Sequence, residues 1–376
     1  MTIDEHHYSN LKITNIDIFK LDIPLKDSFQ IATMSLSTAQ NVLIQIQTNE
    51  GIEGWGEAAS FHALVGETQS INFAAAKELK QIILGKNPLA ISSLVTEMNK
   101  FLPHNTTLKS AFDMALYDIA AKVAGLPLYL FLGGKKRKIE TDLTIGIGDP
   151  ENAGQKALAV IEMGFRIIKV KLGLNDDEDY RRLKNIRETV GDKPTIRIDA
   201  NQGWDRIMAV KNLNAFTDFR IEFCEQPCRA YDLQGLNYIS HHARIPVMAD
   251  ESLFSIYDAL NLIREDAVPY FNIKFSKSGG LCNAIKIAHI AEAGARPCMI
   301  GCMSESRLGL TAAAHFAMTS DIFQFFDLDS CFEHAENPVI GGMDVKNGIV
   351  HLPEEPGIGA FPDPDYLKKL EKVKQC

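Results

Sequence analysis

The chain has 376 residues, 46% of them hydrophobic and 23% charged, with a formal net charge of −9. Such a composition belongs to a globular protein of one large domain or two, and the acidic balance argues against a nucleic-acid or anionic-membrane surface. Nowhere do 18 or more apolar residues run together as a bilayer span requires; Met1 to Asn10 is polar and lacks the apolar core of a signal peptide; and the seven scattered cysteines fit a reducing, cytoplasmic setting.

Ile13 to Leu21 alternates apolar and polar residues, as a half-buried strand does, and Asn41 to Thr48 does the same. Asn49 to Gly51 is a turn, and Gly54 to Ala58 reads as a third strand. Between the first two strands, Ser28 to Gln40 is rich in Ser and Thr without helical period, a candidate mobile flap. Three helices are predicted next: Glu67 to Leu84 stopped by Gly85, a second from Pro88 toward Phe101, and Leu108 to Ala124 ended by Gly125 and Pro127. Residues 1–130 therefore read as an α+β domain.

From Ile139 strands and helices alternate, and the strands are continuous apolar runs suited to a sheet buried on both faces. Thr141 to Ile147 comes first, then a helix from Asn152 to Met163, then Ile167 to Lys171. Four further strands end at Asp199, Glu225, Asp250 and Lys274, spaced by 26, 25 and 24 residues. Arg296 to Ile300 and Phe323 to Phe326 complete eight. The expected fold is thus α/β, a (β/α)8-type barrel over residues 131–340, and the near-equal spacing puts the four charged ends together at the rim where such barrels build active sites. The irregular tail, 341–376, is expected to return to the first domain.

Asp199, Glu225 and Asp250 place three carboxylates on that rim. One acid there would ordinarily cap the helix that follows; three on consecutive strands, with lysines on strands either side, suit a hard cation such as Mg2+. Asn201, two residues beyond Asp199, can extend the outer shell of the ion. Lys169 and Lys171 share one face of a buried strand, where lysine is rare without a partner. Lys171 on the second strand and Lys274 on the sixth stand opposite in a ring of eight, so a substrate between them meets an amine on each face. A neighbouring cation would depress a lysine toward a neutral base. Lys277, in the loop before Gly279, reads as a surface residue. Cys224 with Cys228 and Cys298 with Cys302 could supply thiolates to zinc, but their place in or beside apolar strands favours packing or pocket lining.

Lys169-Val170-Lys171, Asp199-Ala200-Asn201, Glu225-Gln226-Pro227, Asp250-Glu251-Ser252 and Asn272-Ile273-Lys274 together resemble the enolase superfamily, specifically its muconate lactonizing subgroup, over essentially the whole chain. The resemblance implies a modified (β/α)7β barrel under an α+β cap, whose loops at Ser28 to Gln40 and after Glu57 close over the site. It implies one Mg2+ on the three acids, an enediolate stabilised beside Lys169, and Lys171 and Lys274 exchanging the α-proton. Asp327 and Asp329 resemble the Asp-x-Asp motif of dipeptide epimerases, which grips the α-ammonium of the dipeptide. Thr144 and Cys302, Met303 and Ser304 are expected at the substrate. The flap lacks the arginine that glutamate-specific epimerases can carry; Met34 holds the matching place. The expected activity is inversion of the C-terminal residue of L-Ala-Xaa dipeptides by a cytoplasmic homo-oligomer. An L-Ala-D/L-Glu epimerase, a muconate cycloisomerase, an o-succinylbenzoate synthase, an N-succinylamino acid racemase and a non-catalytic binding barrel remain open.

Overall fold

The structure, a computed structural model, describes residues 10–373; Met1 to Ser9 of the polar N-terminal stretch and residues 374–376 of the tail lie outside the described residues. Strands β1 (Ile13–Gln30), β2 (Ser35–Thr48) and β3 (Glu53–Ala59) form an antiparallel sheet in that order. The first two are much longer than the sequence suggests. The pairing runs from Ile13 opposite Thr48 to Gln30 opposite Ser35, with register shifts between Ile13 and Asn15 and between Pro24 and Phe29. The presumed irregular flap is therefore the far end of a hairpin, closed by Ile31 N–H donating to the Met34 carbonyl at 3.0 Å. Leu21, Ile23 and Leu25 are buried while Asp22 and Pro24 are exposed, so the strand alternation simply continues. Pro24 is tolerated because β1 is an edge strand.

Helices α1 (Gln69–Ile83), α2 (Ile91–Phe101) and α3 (Thr106–Val123) pack on this sheet. The α3 backbone comes close to β3 because Gly54 and Gly56 present no side chain there. A Cβ at Gly56 would sit 1.9 Å from the Ala111 carbonyl oxygen, and one at Gly54 2.1 Å from that of Ala115. Gly56→Ala is expected to lower unfolding stability by about 1–3 kcal/mol through overpacking, read by chemical denaturation; an unchanged midpoint would show that the two elements separate freely.

The second unit alternates β4 (Leu143–Ile145), α4 (Ala153–Glu162), β5 (Ile167–Lys171), α5 (Asp176–Val190), β6 (Thr195–Asp199), α6 (Arg206–Ala215), β7 (Ile221–Glu225), α7 (Leu233–His242), β8 (Val247–Ala249), α8 (Ile256–Arg264), β9 (Tyr270–Ile273), α9 (Leu281–Ala293), β10 (Cys298–Ile300), α10 (Arg307–Ala317) and β11 (Phe323–Phe326). Its eight strands form one parallel sheet in sequence order. The first and last meet through Asp142 N–H to the Phe326 carbonyl (3.4 Å) and Thr144 N–H to the Asp329 carboxylate (2.6 Å). Eight strands and seven intervening helices make a (β/α)7β barrel, as expected.

The tail divides its attention. Strands β12 (Val339–Gly341) and β15 (Ala360–Pro362) pair, as do β13 (Asp344–Lys346) and β14 (Ile349–His351). Val350 N–H donates to the Ile139 carbonyl and Thr141 N–H to that of Gly348, at the foot of the barrel. The tail also returns to the first domain: Gly357 N–H donates to the Leu126 carbonyl and Ile358 N–H to Asp118 of α3, and the end of the described chain reaches β1 through the Tyr366 hydroxyl to the Asp22 carbonyl, Lys20 N–H to Glu371 and Val373 N–H to Ile18. The two units are also joined by Glu57 of β3. Its buried carboxylate accepts from Ser306 N–H (2.8 Å), the Ser306 hydroxyl (2.6 Å), Gly309 N–H (3.1 Å) and Asn41 (2.8 Å), capping the start of α10 where negative charge is favoured. Among the described residues no helix is long and apolar enough to cross a membrane.

Candidate active site

Alternation along the barrel strands builds the interior in layers. Phe223, Met248, Met299 and Phe325 form a buried apolar floor. Two residues further along the same strands stand Glu225, Asp250, Gly301 and Asp327. Arg197 on β6 lies between, donating to Asp142 (2.9 Å) and to Glu222 (2.7 Å), with its guanidinium over the rings of Phe223 and Phe325. Gly301 is small of necessity: a Cβ would come within 2.9 Å of Lys274 Cε.

Above the floor the charged groups converge. Asp199, Glu225 and Asp250 are all 0% exposed, and each offers an oxygen within 4.8 Å of those of the other two. Lys169 Nζ lies 2.6 Å from Glu225 and 2.7 Å from Asp327. Lys171 Nζ is 2.7 Å from Asp199, and Lys274 Nζ is 2.8 Å from Asp250. Asn272 donates to Glu225 at 2.6 Å. Burial together with the negative charge of Asp199 pushes Glu225 up to about 7. Burial also opposes charge on Asp250, but Lys274 and Lys277 hold it well below the usual carboxylate range. Three buried oxygen donors with no histidine or thiol among them fit a hard divalent ion.

Facing the three carboxylates alone, Lys274 is raised: burial disfavours its charge, but Asp250 and Glu225 more than offset that. Lys277 is a plain correction. It is 0% exposed, ion-pairs with Asp250 Oδ1, and donates to the carbonyls of Asp250 (2.5 Å) and Asn272 (2.9 Å). The chain after β9 makes one helical turn, Phe275–Ser278, which swings position 277 back toward the site.

One cavity lies over this cluster. Lys169, Lys171, Lys274, Thr144, Cys302, Met303, Asp327 and Asp329 line it. The hairpin tip contributes Phe29 and Ile31, and the segment after β3 contributes Phe61 and Leu64. Asp329 accepts from Thr144 N–H, and the Cys302 thiol lies 3.7 Å from its other oxygen. Three expected substrate residues stand outside the lining. Met34 is in the hairpin turn, half-buried. Asn201 donates to Glu251 at 3.3 Å, beside the carboxylate trio. Ser304 is buried, and its carbonyl accepts from Asn41 at 2.8 Å. Cys224, Cys228 and Cys298 are buried free thiols, in keeping with packing. Glu333, Phe61 and Leu64 line the cavity without having been singled out from sequence; Phe61 and Leu64 belong to a four-residue helix, His62–Val65, and its cap, and Glu333 follows a single 3-10 turn, all too short for a period to mark an inward face.

Two family profiles match this chain: the mandelate racemase / muconate lactonizing enzyme N-terminal domain over residues 13–133, and the enolase C-terminal domain-like family over residues 152–366. The chain belongs to the mandelate racemase/muconate lactonizing enzyme family of the enolase superfamily. It is 41% identical over 363 residues to a D-Ala-D/L-Ala epimerase of Cytophaga hutchinsonii, covering 96% of this chain and 99% of that one. An L-Ala-D/L-Glu epimerase of Clostridium acetobutylicum is 37% identical over 350 residues, covering 92% and 98%. In three dimensions it resembles the Cytophaga hutchinsonii dipeptide epimerase complexed with Mg and D-Ala-L-Val, at a TM-score of 0.95 and 40% identity, over 96% of this chain and 99% of that one.

Proposed function

We propose that this chain is a Mg2+-dependent dipeptide epimerase that inverts the α-carbon of the C-terminal residue of L-Ala-Xaa-type dipeptides. The observation that carries this reading is that amines from opposite strands, Lys171 and Lys274, line one cavity with Asp327 and Asp329 beside a buried carboxylate trio. The relatives named above, epimerases of dipeptides, support it.

Asp199, Glu225 and Asp250 would hold the ion. Once bound there, Mg2+ would supply positive charge beside the substrate carboxylate. Lys169, buried and cationic, stabilises the charge that develops on that carboxylate as the α-proton leaves. One of Lys171 and Lys274, as the neutral amine, takes the proton, and its electron pair spreads into the carboxylate. The other, as the ammonium, returns a proton from the opposite face. Asp329, with Asp327, accepts hydrogen bonds from the substrate α-ammonium. That pairing disfavours an N-succinylated or muconate substrate, whose anionic end would meet two carboxylates. Residues 10–130 with the tail act as the cap over barrel residues 131–340, the hairpin tip closing the cavity through Phe29 and Ile31.

We extend the reading to a cytoplasmic homo-oligomer. Buried free thiols support the compartment. Incubating purified protein with L-Ala dipeptides in deuterated water and Mg2+ should give α-deuteration of the C-terminal residue by mass, abolished by a chelator and restored by added Mg2+. Exchange that persists in the chelator, or none with any dipeptide, would refute the assignment.

A further inference from the structure

The cavity contains an acid that the mechanism above does not use. Glu333 lines it together with Lys171, Asp327, Asp329, Phe29 and Ile31. Its backbone is fixed against the stem of the hairpin: Lys26 N–H donates to the Glu333 carbonyl at 2.8 Å, Leu25 bridges His334, and Ala335 N–H donates to the Pro24 carbonyl at 2.8 Å. The side chain is therefore held where hairpin and barrel rim meet. Asp327 is engaged by Lys169 and Asp329 by Thr144. Glu333 is partly buried, and its carboxylate has no hydrogen-bond or ion-pair partner among the described residues.

We propose that Glu333 extends the first-residue range of this site from alanine to cationic side chains, in preference to apolar ones of similar length; the proposal rests on the epimerase reading and widens its first position. The order of groups from the carboxylate trio outward supplies the reason. The substrate carboxylate is placed at Lys169, the α-carbon between Lys171 and Lys274, and the ammonium at Asp329. Glu333 lies beyond, four residues along the chain toward the hairpin, where the first side chain must run. Phe29 and Ile31 offer apolar surface for the methylenes of lysine or arginine, and Glu333 an anion for the head group. A carboxylate in such a place gains from a cationic partner of its own: burial, and then Asp329, raise Glu333 well above its ordinary range, and Lys171 across the cavity offsets only part of that.

The test compares α-deuteration rates, as kcat/KM, for L-Lys-L-Ala, L-Leu-L-Ala, L-Ala-L-Ala and L-Ala-L-Lys, with the Mg2+-loaded wild type and with Glu333→Leu and Glu333→Gln checked for folding by circular dichroism. The wild type should favour L-Lys-L-Ala over L-Leu-L-Ala by about tenfold or more, a plausible return on one ion pair. Both variants should lose that preference mainly through KM, and Glu333→Leu should invert it. Equal rates for the Lys- and Leu-first peptides in the wild type, a ratio unaltered in both variants, or preference for L-Ala-L-Lys would overturn the proposal while leaving an epimerase. Exchange with none of the four would remove the epimerase reading and this proposal together.

Discussion

Lys171→Ala and Lys274→Ala should each abolish net epimerisation while sparing half of the chemistry. Each variant is expected to lose about 10³-fold or more in turnover, within the usual range for removing a positioned proton-transfer group. Each should still exchange the α-hydrogen of one configuration of the C-terminal residue with deuterated solvent, and the two variants should retain opposite configurations. The reason is positional. Lys171 ends β5 and leans on Asp199; Lys274 follows β9 and leans on Asp250. Four steps separate their strands in the ring of eight, so both faces of one α-carbon are served. Full epimerase activity in both variants, or retention of the same configuration, would refute the two-base assignment.

The second large effect is on stability. Lys277→Met should cost about 3–5 kcal/mol, the usual penalty for removing one partner of a buried ion pair. Lys277 is fully enclosed, and its ammonium serves the Asp250 carboxylate and two backbone carbonyls. Methionine preserves much of the volume and none of the donors, so the expected loss is electrostatic rather than a cavity effect. Guanidinium unfolding of the apoprotein measures it without any contribution from bound metal. A loss under about 1 kcal/mol would contradict this account of Lys277.

How much of this was legible beforehand follows from where periodicity operates. The barrel strands β5 and β11 have the bounds read from sequence, Ile167–Lys171 and Phe323–Phe326, because continuous β-branched and aromatic runs between loop signals leave little choice. The first barrel strand shrank from Thr141–Ile147 to Leu143–Ile145, since the chain beyond it pairs with the hairpin tip instead, Ile147 N–H donating to the Gln30 carbonyl at 2.9 Å, and a Cβ at Gly146 would lie 3.1 Å from Phe29. The carboxylate trio and the three lysines were legible because strand ends recur at equal intervals. Lys277 was not, as one turn of helix reversed the direction that a loop would have given. Nor was the full reach of β1 and β2: Ser and Thr between Ser28 and Gln40 look like loop chemistry, whereas cross-strand pairing decides the structure there. Glu333 sits past the last strand, where an inward direction depends on how Phe332–Ala335 is pinned to β1.

The most direct measurement is a crystal structure of the protein with Mg2+ and a dipeptide substrate. It should show one ion bound by Asp199, Glu225 and Asp250, with the α-carbon of the C-terminal residue lying between the Lys171 and Lys274 amines. An ion held elsewhere, or both amines on a single face of that carbon, would contradict the central claim.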